Sequence, residues 1–207
     1  YMPGMLVDAK EIASGPWGTR FTLVDTRTGE QASCQTRLLG EHSISNLLLC
    51  CTAARALGMT LEEIALGVSH CQPVEHRLEL LDGGAGISII DDAFNANPVG
   101  AQCALRVIAG FPGRRIIITP GMVELGGEEA AFNRKFGEQM AKSVDLAILV
   151  GKKHTQPIVE GLKNAGFPQE NIHVVGNLEE STTLLHSIMK AGDVVLYEND
   201  LPDNYSE

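Results

Sequence analysis

The second half of the chain alternates short, almost entirely apolar runs with longer segments in which apolar residues recur at helical spacing. Continuous apolar strands of this kind are typical of a parallel sheet buried on both faces, and the intervening segments predict the covering helices. We therefore predict an α/β fold with a mostly parallel sheet from about residue 77 onward. The strand-like runs are GISIID, RRIIIT, DLAILVG, IHVVG and DVVLYE, and the predicted helices span residues 98–109, 127–142, 155–165 and 178–190.

The first part of the chain has a different pattern. Two strand-like runs, TRFTLVDT and QASCQTRLL, flank the turn-prone residues RTGE and predict a β-hairpin. A helix with Ser43 or Ser45 as its N-cap follows and ends at Gly58, and a second helix begins with the capping box of Thr60 and Glu63. One hairpin and two helices cannot bury both of their faces. Since the chain also opens in polar, turn-rich sequence, we expect it to be a fragment of a longer protein.

Polar residues follow the predicted strands of the second part. Ligands of open α/β sheets bind at the carboxyl ends of the strands, and these ends carry DDAFNANP, PGMVELGG, GKKHT, GN and NDLPDNY. Asp91 and Asp92 predict either a ligand-binding carboxylate pair or an Asx-turn that ends the strand and caps the next helix. The residue types alone slightly favour the turn. Pro98 is typical of the first residue of a helix.

Composition and missing motifs narrow the function classes. The formal net charge of −10 argues against binding to nucleic acid or to an anionic membrane. Five cysteines without a C-x-x-C pair, and no apolar run of membrane-spanning length, predict a cytoplasmic protein without disulfides. The sequence contains no G-x-G-x-x-G fingerprint, no G-x-x-x-x-G-K-[ST] loop and no G-x-S-x-G elbow. Because the histidines lack ligand spacing, we predict no metal site in this chain.

Four stretches, taken in order, resemble motifs of the Mur ligases. They are GEHSISN, EHRLELL, IIDDAFNANPVG and ITPGMVELG, which match the family patterns G-x-H-N-x-x-N, G-R-x-E, D-A-Y-N-A-N-P and G-M-x-E-L-G across residues 37–151. The last two motifs are specific, whereas the shorter two mean little alone. The resemblance implies a three-domain protein, in which residues 1–75 are the tail of the central ATPase domain. Residues 76–207 would be the Rossmann-like C-terminal domain, and the phosphate loop would lie upstream.

The resemblance also implies a reaction. Mur ligases use ATP and Mg²⁺ to convert a substrate carboxylate into an acyl phosphate, which an amine then attacks to form an amide. The members that this chain most resembles add D-alanyl-D-alanine to UDP-N-acetylmuramoyl-tripeptide in peptidoglycan synthesis. Small-molecule substrates, a monomer and no nucleic-acid or membrane partner are implied, with the Mg²⁺ ligands mostly upstream. We expect this chain alone to be inactive and assign no catalytic residue to it.

Residues at the motif positions acquire roles by the same resemblance. His42 and Asn46 are expected near the adenine and Arg77 near the phosphates. Asp92 or Asp91 would accept hydrogen bonds from the ribose hydroxyls, a role that suits a carboxylate. The implied nucleotide-binding residues are His42, Asn46, Arg77, Asp91, Asp92, Asn95 and Asn97, and the residues implied to face the incoming amine are Met122 and Glu124.

Several positions depart from the family pattern. Ser43 replaces an asparagine, His76 a glycine and Phe94 a tyrosine, and Asn133 lies in a helix where the family often has a histidine. The ending YENDLPDNYSE replaces the usual K-G-S motif in a loop that helps define the acceptor pocket. Two alternatives therefore stay open, a ligase with a different amine acceptor and a non-catalytic binding relative. Folylpolyglutamate synthetases and cyanophycin-type ligases fit less well because they show D-G-A-H-N-P, and an NAD-dependent oxidoreductase lacks its glycine fingerprint.

Overall fold

The computed structural model describes residues 5–94 and 96–200, and the chain forms two compact units. The first unit contains the chain up to Val74 together with Leu78–Leu80, and the second contains Glu75–Arg77 and the chain from Leu81 onward. Among the described residues, no helix combines the length and the apolar composition that a membrane span requires.

The first unit is a three-stranded antiparallel sheet with two helices. The sheet has the order β1-β2-β3. The predicted hairpin is confirmed as β2 and β3, but the sequence pattern missed β1. Four consecutive residues of β1 are exposed and a bulge interrupts its pairing with β2, so it lacks the alternation that reveals a half-buried strand. The elements are β1 (Val7–Gly15), β2 (Gly18–Asp25), β3 (Gln31–Thr36), α1 (Glu41–Ala56) and α2 (Leu61–Ser69).

The ends of the two helices test the predicted caps. The N-cap of α1 is Gly40, so the prediction of Ser43 or Ser45 is wrong, since both serines lie inside the helix. At the other end Gly58 adopts a φ of 93°, as its predicted role requires. The capping box of α2 is confirmed in both directions between Thr60 and Glu63.

A single apolar cluster forms the core of the first unit. It includes two cysteines, and burial raises the pKa of the Cys34 thiol to about 11 and that of Cys51 to about 12. Such thiols behave as small apolar side chains, and all five cysteines of the chain are free. The buried members of the cluster are Val7, Phe21, Leu23, Cys34, Ile44, Leu47, Leu48, Cys51, Leu61, Ile64 and Val68.

The second unit is built on a six-stranded sheet with the order β4-β5-β9-β6-β7-β8. The four pairings from β5 to β8 are parallel, which confirms the predicted α/β fold and all five predicted strands. The pattern missed β4, a four-residue strand that is half exposed. The elements are β4 (Glu79–Asp82), β5 (Ser88–Asp92), α3 (Pro98–Ala109), β6 (Arg115–Thr119), α4 (Glu129–Met140), β7 (Leu146–Val150), α5 (Gln156–Asn164), β8 (Ile172–Val175), α6 (Leu178–Ile188) and β9 (Val194–Glu198).

Two glycines let α4 and α5 pack against each other at very short range. A Cβ on Gly137 would collide with the carbonyl of Ile158, and one on Gly161 would collide with the carbonyl of Arg134. The contact holds α4 in place, and α4 carries a side chain of the candidate site.

Candidate functional site

The carboxyl ends of β5, β9 and β6 lie side by side at one edge of the sheet and bring together acidic and polar side chains. Asp91 pairs with Tyr197 and Asp92 with Glu198 in the register of β5 and β9. From β6, the hydroxyl of Thr119 donates a hydrogen bond of 3.0 Å to the Glu198 carboxyl. The site is therefore centred on β9, the last strand in sequence, which lies between the two strands that carry the recognised motifs.

The loop after β5 is a turn followed by a helix cap. The carboxyl of Asp91 accepts a hydrogen bond from the Ala93 amide at 3.1 Å, which confirms the predicted Asx-turn. The prediction that this aspartate pair also caps the next helix is wrong. The following helix is capped by Asn97, whose side chain accepts from the amides of Val99 and Gly100 at 3.1 and 3.0 Å. Asn95 lies outside the described residues. A nucleotide-binding role for Asp91, Asp92 and Asn97 remains a prediction.

Residues 76–78 lie against this loop with an unusual backbone. His76 and Leu78 adopt φ values of 59° and 47°, a region that non-glycine residues rarely occupy. This conformation explains why the family motif has glycine where this chain has His76. The His76 imidazole lies 2.8 Å from the Asp91 carboxylate, and its carbonyl accepts from the Phe94 amide at 3.2 Å.

Arg77, between His76 and Leu78 in sequence, stacks on the loop after β5. Its guanidinium lies 4.4 Å from the centroid of the Phe94 ring, a cation–π distance. Phe94 is 61% exposed. The aromatic residue that replaces the family's tyrosine thus keeps a ring for the arginine to stack on.

The loop after β6 is held by side chains at every polar atom of Gly121 and Met122. The Gly121 amide donates to Thr119 at 3.0 Å, and the Gly121 carbonyl accepts from Asn199 at 2.6 Å. Asn133, which is buried on α4, accepts from the Met122 amide at 2.9 Å and donates to the Met122 carbonyl at 2.7 Å. A loop whose backbone groups are all satisfied in this way is preorganised.

The two residues expected to face the incoming amine lie in different environments. Met122 is 1% exposed and its side chain lies in the core. The part of Met122 that lies at the edge of the sheet is therefore its backbone. Glu124 is exposed and has a φ of 64°. A contact with an amine therefore remains a prediction for both, and the geometry favours Glu124.

The two residues expected near the adenine belong to the first unit. His42 and Asn46 lie one helical turn apart at the start of α1, and both are exposed. The His42 ring lies directly beside Gly40, where a Cβ would contact the imidazole.

Glu198 is the most perturbed acid of the site, and sequence reasoning missed it. It is 1% exposed, and burial is the main reason that its pKa rises from 4.5 to about 8; the Thr119 hydrogen bond lowers it and the neighbouring Asp92 charge raises it. Perturbed acids cluster at functional sites. The available signal was an acidic residue at the end of the apolar run DVVLYE, followed by Asn199.

The described residues hold no group of three or more histidine, cysteine, aspartate or glutamate side chains that could bind a metal ion. What the site offers is an arginine and carboxylates, which are groups that bind phosphates and sugar hydroxyls.

Comparison with known protein families identifies the domain. The sequence model of the "Mur ligase, glutamate ligase domain" matches residues 76–197, which is more than half of the chain. The chain belongs to the Mur ligase family. This match covers the sheet edge described above up to Tyr197.

Two of the similar relatives carry the same activity in their names. The UDP-N-acetylmuramoyl-tripeptide–D-alanyl-D-alanine ligase of Escherichia coli K12 is 34% identical over 137 residues, which cover 66% of this chain and 30% of that protein. The enzyme of the same name from Bacillus subtilis is 26% identical over 195 residues, which cover 91% of this chain and 41% of that protein. The chain thus spans less than half the length of these relatives.

Solved structures of the family share the fold. The MurF ligase of Thermotoga maritima in complex with ADP aligns with a TM-score of 0.76 at 19% identity, over 96% of this chain and 44% of that chain. At this identity the likeness establishes the fold, which agrees with the family assignment.

Proposed function

We propose that this chain is part of an ATP-dependent ligase of peptidoglycan synthesis that joins D-alanyl-D-alanine to UDP-N-acetylmuramoyl-tripeptide. The observation that carries the proposal is the position of the two most specific motifs. The motif IIDDAFNANP begins in β5 and continues beyond the end of that strand, and the motif MVELG follows β6. Since β5 and β6 lie on either side of β9, both motifs reach the same edge of the sheet. The names of these two relatives support the same substrates.

We further propose that residues 1–75 are the tail of the central ATPase domain and residues 76–207 the C-terminal domain. Two observations support this boundary: the family match begins at residue 76, and the chain divides into two compact units near Val74. The five free cysteines and the proposed nucleotide substrates support a cytoplasmic location, and the resemblance favours a monomer.

In the proposed reaction, a carboxylate oxygen of the tripeptide attacks the γ-phosphorus of ATP and ADP leaves, which gives an acyl phosphate. The amine of the dipeptide then adds to the acyl carbon, loses a proton, and phosphate leaves as the amide forms. Magnesium neutralises phosphate charge in such reactions. Since the described residues offer no cluster that fits a metal ion, we assign no metal ligand to them.

The residues of this chain bind and orient the substrates. Asp91 and Asp92 accept hydrogen bonds from the ribose hydroxyls, and Arg77, held by Phe94, lies near the phosphates. Glu124 attracts the ammonium form of the dipeptide. These groups contribute by positioning and by electrostatics.

A ligase with a different amine acceptor is the second candidate function. It is favoured by the end of β9, where Glu198 and Asn199 stand in place of the family's K-G-S motif. A buried carboxyl at this point changes the charge of the loop that helps define the acceptor pocket. A binding relative without turnover is the third candidate.

The first experiment is phosphate release by the full-length protein with ATP, magnesium and UDP-N-acetylmuramoyl-tripeptide, with and without D-alanyl-D-alanine. Release that depends on the dipeptide supports the proposal, and the Asp92→Asn variant should raise the KM for ATP roughly ten-fold because a charged acceptor is lost. The exposed Asp82 supplies a matched control, since Asp82→Asn should leave the KM unchanged. Release that requires another amine would establish the second candidate, and no release with any amine would contradict a ligase function.

A further inference from the structure

The side chain of Asn199 links the two loops of the candidate site. Its Oδ1 accepts a hydrogen bond from the Ala96 amide at 3.2 Å, in the loop after β5. Its Nδ2 donates to the Gly121 carbonyl at 2.6 Å, in the loop after β6. Asn199 is 9% exposed, so water competes little for either bond. One buried side chain therefore spans the two segments that bear the specific motifs.

A side-chain amide, which carries a donor group and an acceptor atom, meets both requirements at this position. A backbone amide can only donate and a carbonyl can only accept, so the two partners fix which end of the Asn199 side chain faces which loop. Aspartate would keep the bond to Ala96 but would set its oxygen against the Gly121 carbonyl. Asn199 also has a φ of 65°, a left-handed conformation that asparagine tolerates better than most residues.

Each end of the link is attached to a fixed segment. On one side Ala96 directly precedes Asn97, the N-cap of α3, so its position is coupled to the start of that helix. On the other side the peptide group between Gly121 and Met122 is held at its carbonyl by Asn199 and at its amide by Asn133. Displacement of either loop must therefore move or break an Asn199 bond.

We propose that Asn199 is a positioning residue that fixes the loop after β5 relative to the loop after β6 and transmits displacement between them. The inference rests on the proposed function in one respect: those loops are taken to contact the nucleotide and the incoming amine, respectively. Under that assignment, binding of the nucleotide orders the acceptor side of the site through one side chain.

The link itself is tested without any ligand, in the ¹⁵N-labelled 207-residue chain. Asn199→Gly removes both bonds and keeps the left-handed backbone, whereas Asn199→Asp removes only the bond to Gly121. Hydrogen exchange of the Ala96 amide should accelerate about five-fold in Asn199→Gly, as the loss of one hydrogen bond implies, and stay near the parent rate in Asn199→Asp. The ¹⁵N shift of Met122, whose peptide group includes the Gly121 carbonyl, should move in both variants.

Transmission is tested in the same samples with magnesium-ADP as the probe. In the parent chain, ADP should shift the amides of Ala93, Phe94, Ala96 and Asn97 and also that of Met122. In both Asn199 variants the first set should still shift, while the Met122 shift should fall at least three-fold. A loss of stability alone would not separate the two loops in this way. Asn164→Gly, at the exposed end of α5, is the control and should behave as the parent.

Three results are decisive. Unchanged Ala96 exchange and Met122 shift in Asn199→Gly would overturn the link. Equal transmission of the ADP effect in the parent and in both variants would overturn the positioning role even if the bonds exist. If ADP shifts no residue of the parent chain, the chain does not bind the nucleotide without the phosphate loop that the resemblance implies upstream. In that case Phe94→Ala replaces ADP as the perturbation of the first loop, and a Met122 response that survives Asn199→Gly overturns the proposal.

Discussion

The first unit buries the carboxyl group of Asp25 and the second unit buries that of Glu198, and these two groups are held in opposite protonation states. In the first unit Asp25 is fully buried, but Arg55 donates to it at 2.7 Å and the amides of Arg27 and Thr28 donate at 2.8 and 3.1 Å. These bonds, that of Arg55 foremost, lower its pKa from 3.8 to about 2. In the second unit Glu198 is 1% exposed and accepts from Thr119, but among the described residues no cation pairs with it.

The difference separates a structural acid from a candidate functional one. Asp25 joins the last turn of α1 to the turn between β2 and β3, and its charge is compensated. Glu198 remains neutral at pH 7 at the edge of the sheet where ligands bind in this fold class. An uncompensated acid there reduces stability at high pH, which is the pattern expected where function constrains the sequence.

The largest expected effect comes from breaking the ion pair of the first unit. Asp25→Ala leaves the Arg55 guanidinium without its closest partner and frees two turn amides, so the melting temperature of this unit should fall by roughly 15 °C. Fluorescence of Trp17, the single tryptophan of the chain, reports unfolding of this unit selectively. Glu30→Gln, which changes the exposed partner of the same arginine, is the control and should cost much less.

The stability of the first unit should fall as the pH is lowered. Because the folded pKa of Asp25 is depressed, its stabilisation is present above about pH 4 and is lost as the pH falls toward 2. An Asp25→Ala protein that melts like the parent at pH 7 would show that the ion pair with Arg55 does not stabilise the first unit.

The second largest effect concerns Glu198, whose contribution to stability should change with pH in the opposite direction to that of Asp25. The folded pKa of Glu198 is raised, so its protonation stabilises the second unit most below about pH 4.5, and this contribution is lost as the pH rises toward 8. Glu198→Gln stays neutral and should abolish that dependence, which makes it more stable than the parent at pH 9 by on the order of 3 kcal/mol. Urea unfolding followed by NMR signals of β6 and β9 measures it.

The control for that variant is Glu179→Gln, which removes an exposed charge from the first turn of α6 and should keep the parent pH profile. A Glu198→Gln variant that still loses stability between pH 5 and 8 would mean that another group titrates there. The contrast between the two buried acids would then fail.

The smallest effect refines the cause of the Glu198 shift. Thr119→Val removes the hydroxyl that donates to Glu198 and should raise the pKa of its carboxyl further, by about one unit. A ¹³C NMR titration of the carboxyl carbon measures this value directly. Thr183→Val, on the exposed face of α6, should leave it unchanged, and a lowered Glu198 pKa in Thr119→Val would contradict the assigned cause.

The sequence predicted the second unit well because its strands are nearly uninterrupted apolar runs. The bounds of α3 agree with the prediction, since Asn97, Pro98 and Gly110 mark its ends chemically. The strands β1 and β4 were missed because each lies at the edge of its sheet, is partly exposed and carries no periodic signal. The cap of α1 was missed because Gly40 offers no side chain to recognise.

The sequence by itself determined the fold class, the family and the loops that carry its motifs, because apolar periodicity and motif order are local properties of the chain. Only the tertiary structure decided which polar groups meet. Parallel pairing brings Glu198 and Asn199 within reach of Thr119, Ala96 and Gly121, residues that lie 78 to 103 positions away in sequence. Burial then raises the pKa of Glu198, and neither distance nor burial can be read from the letters around it.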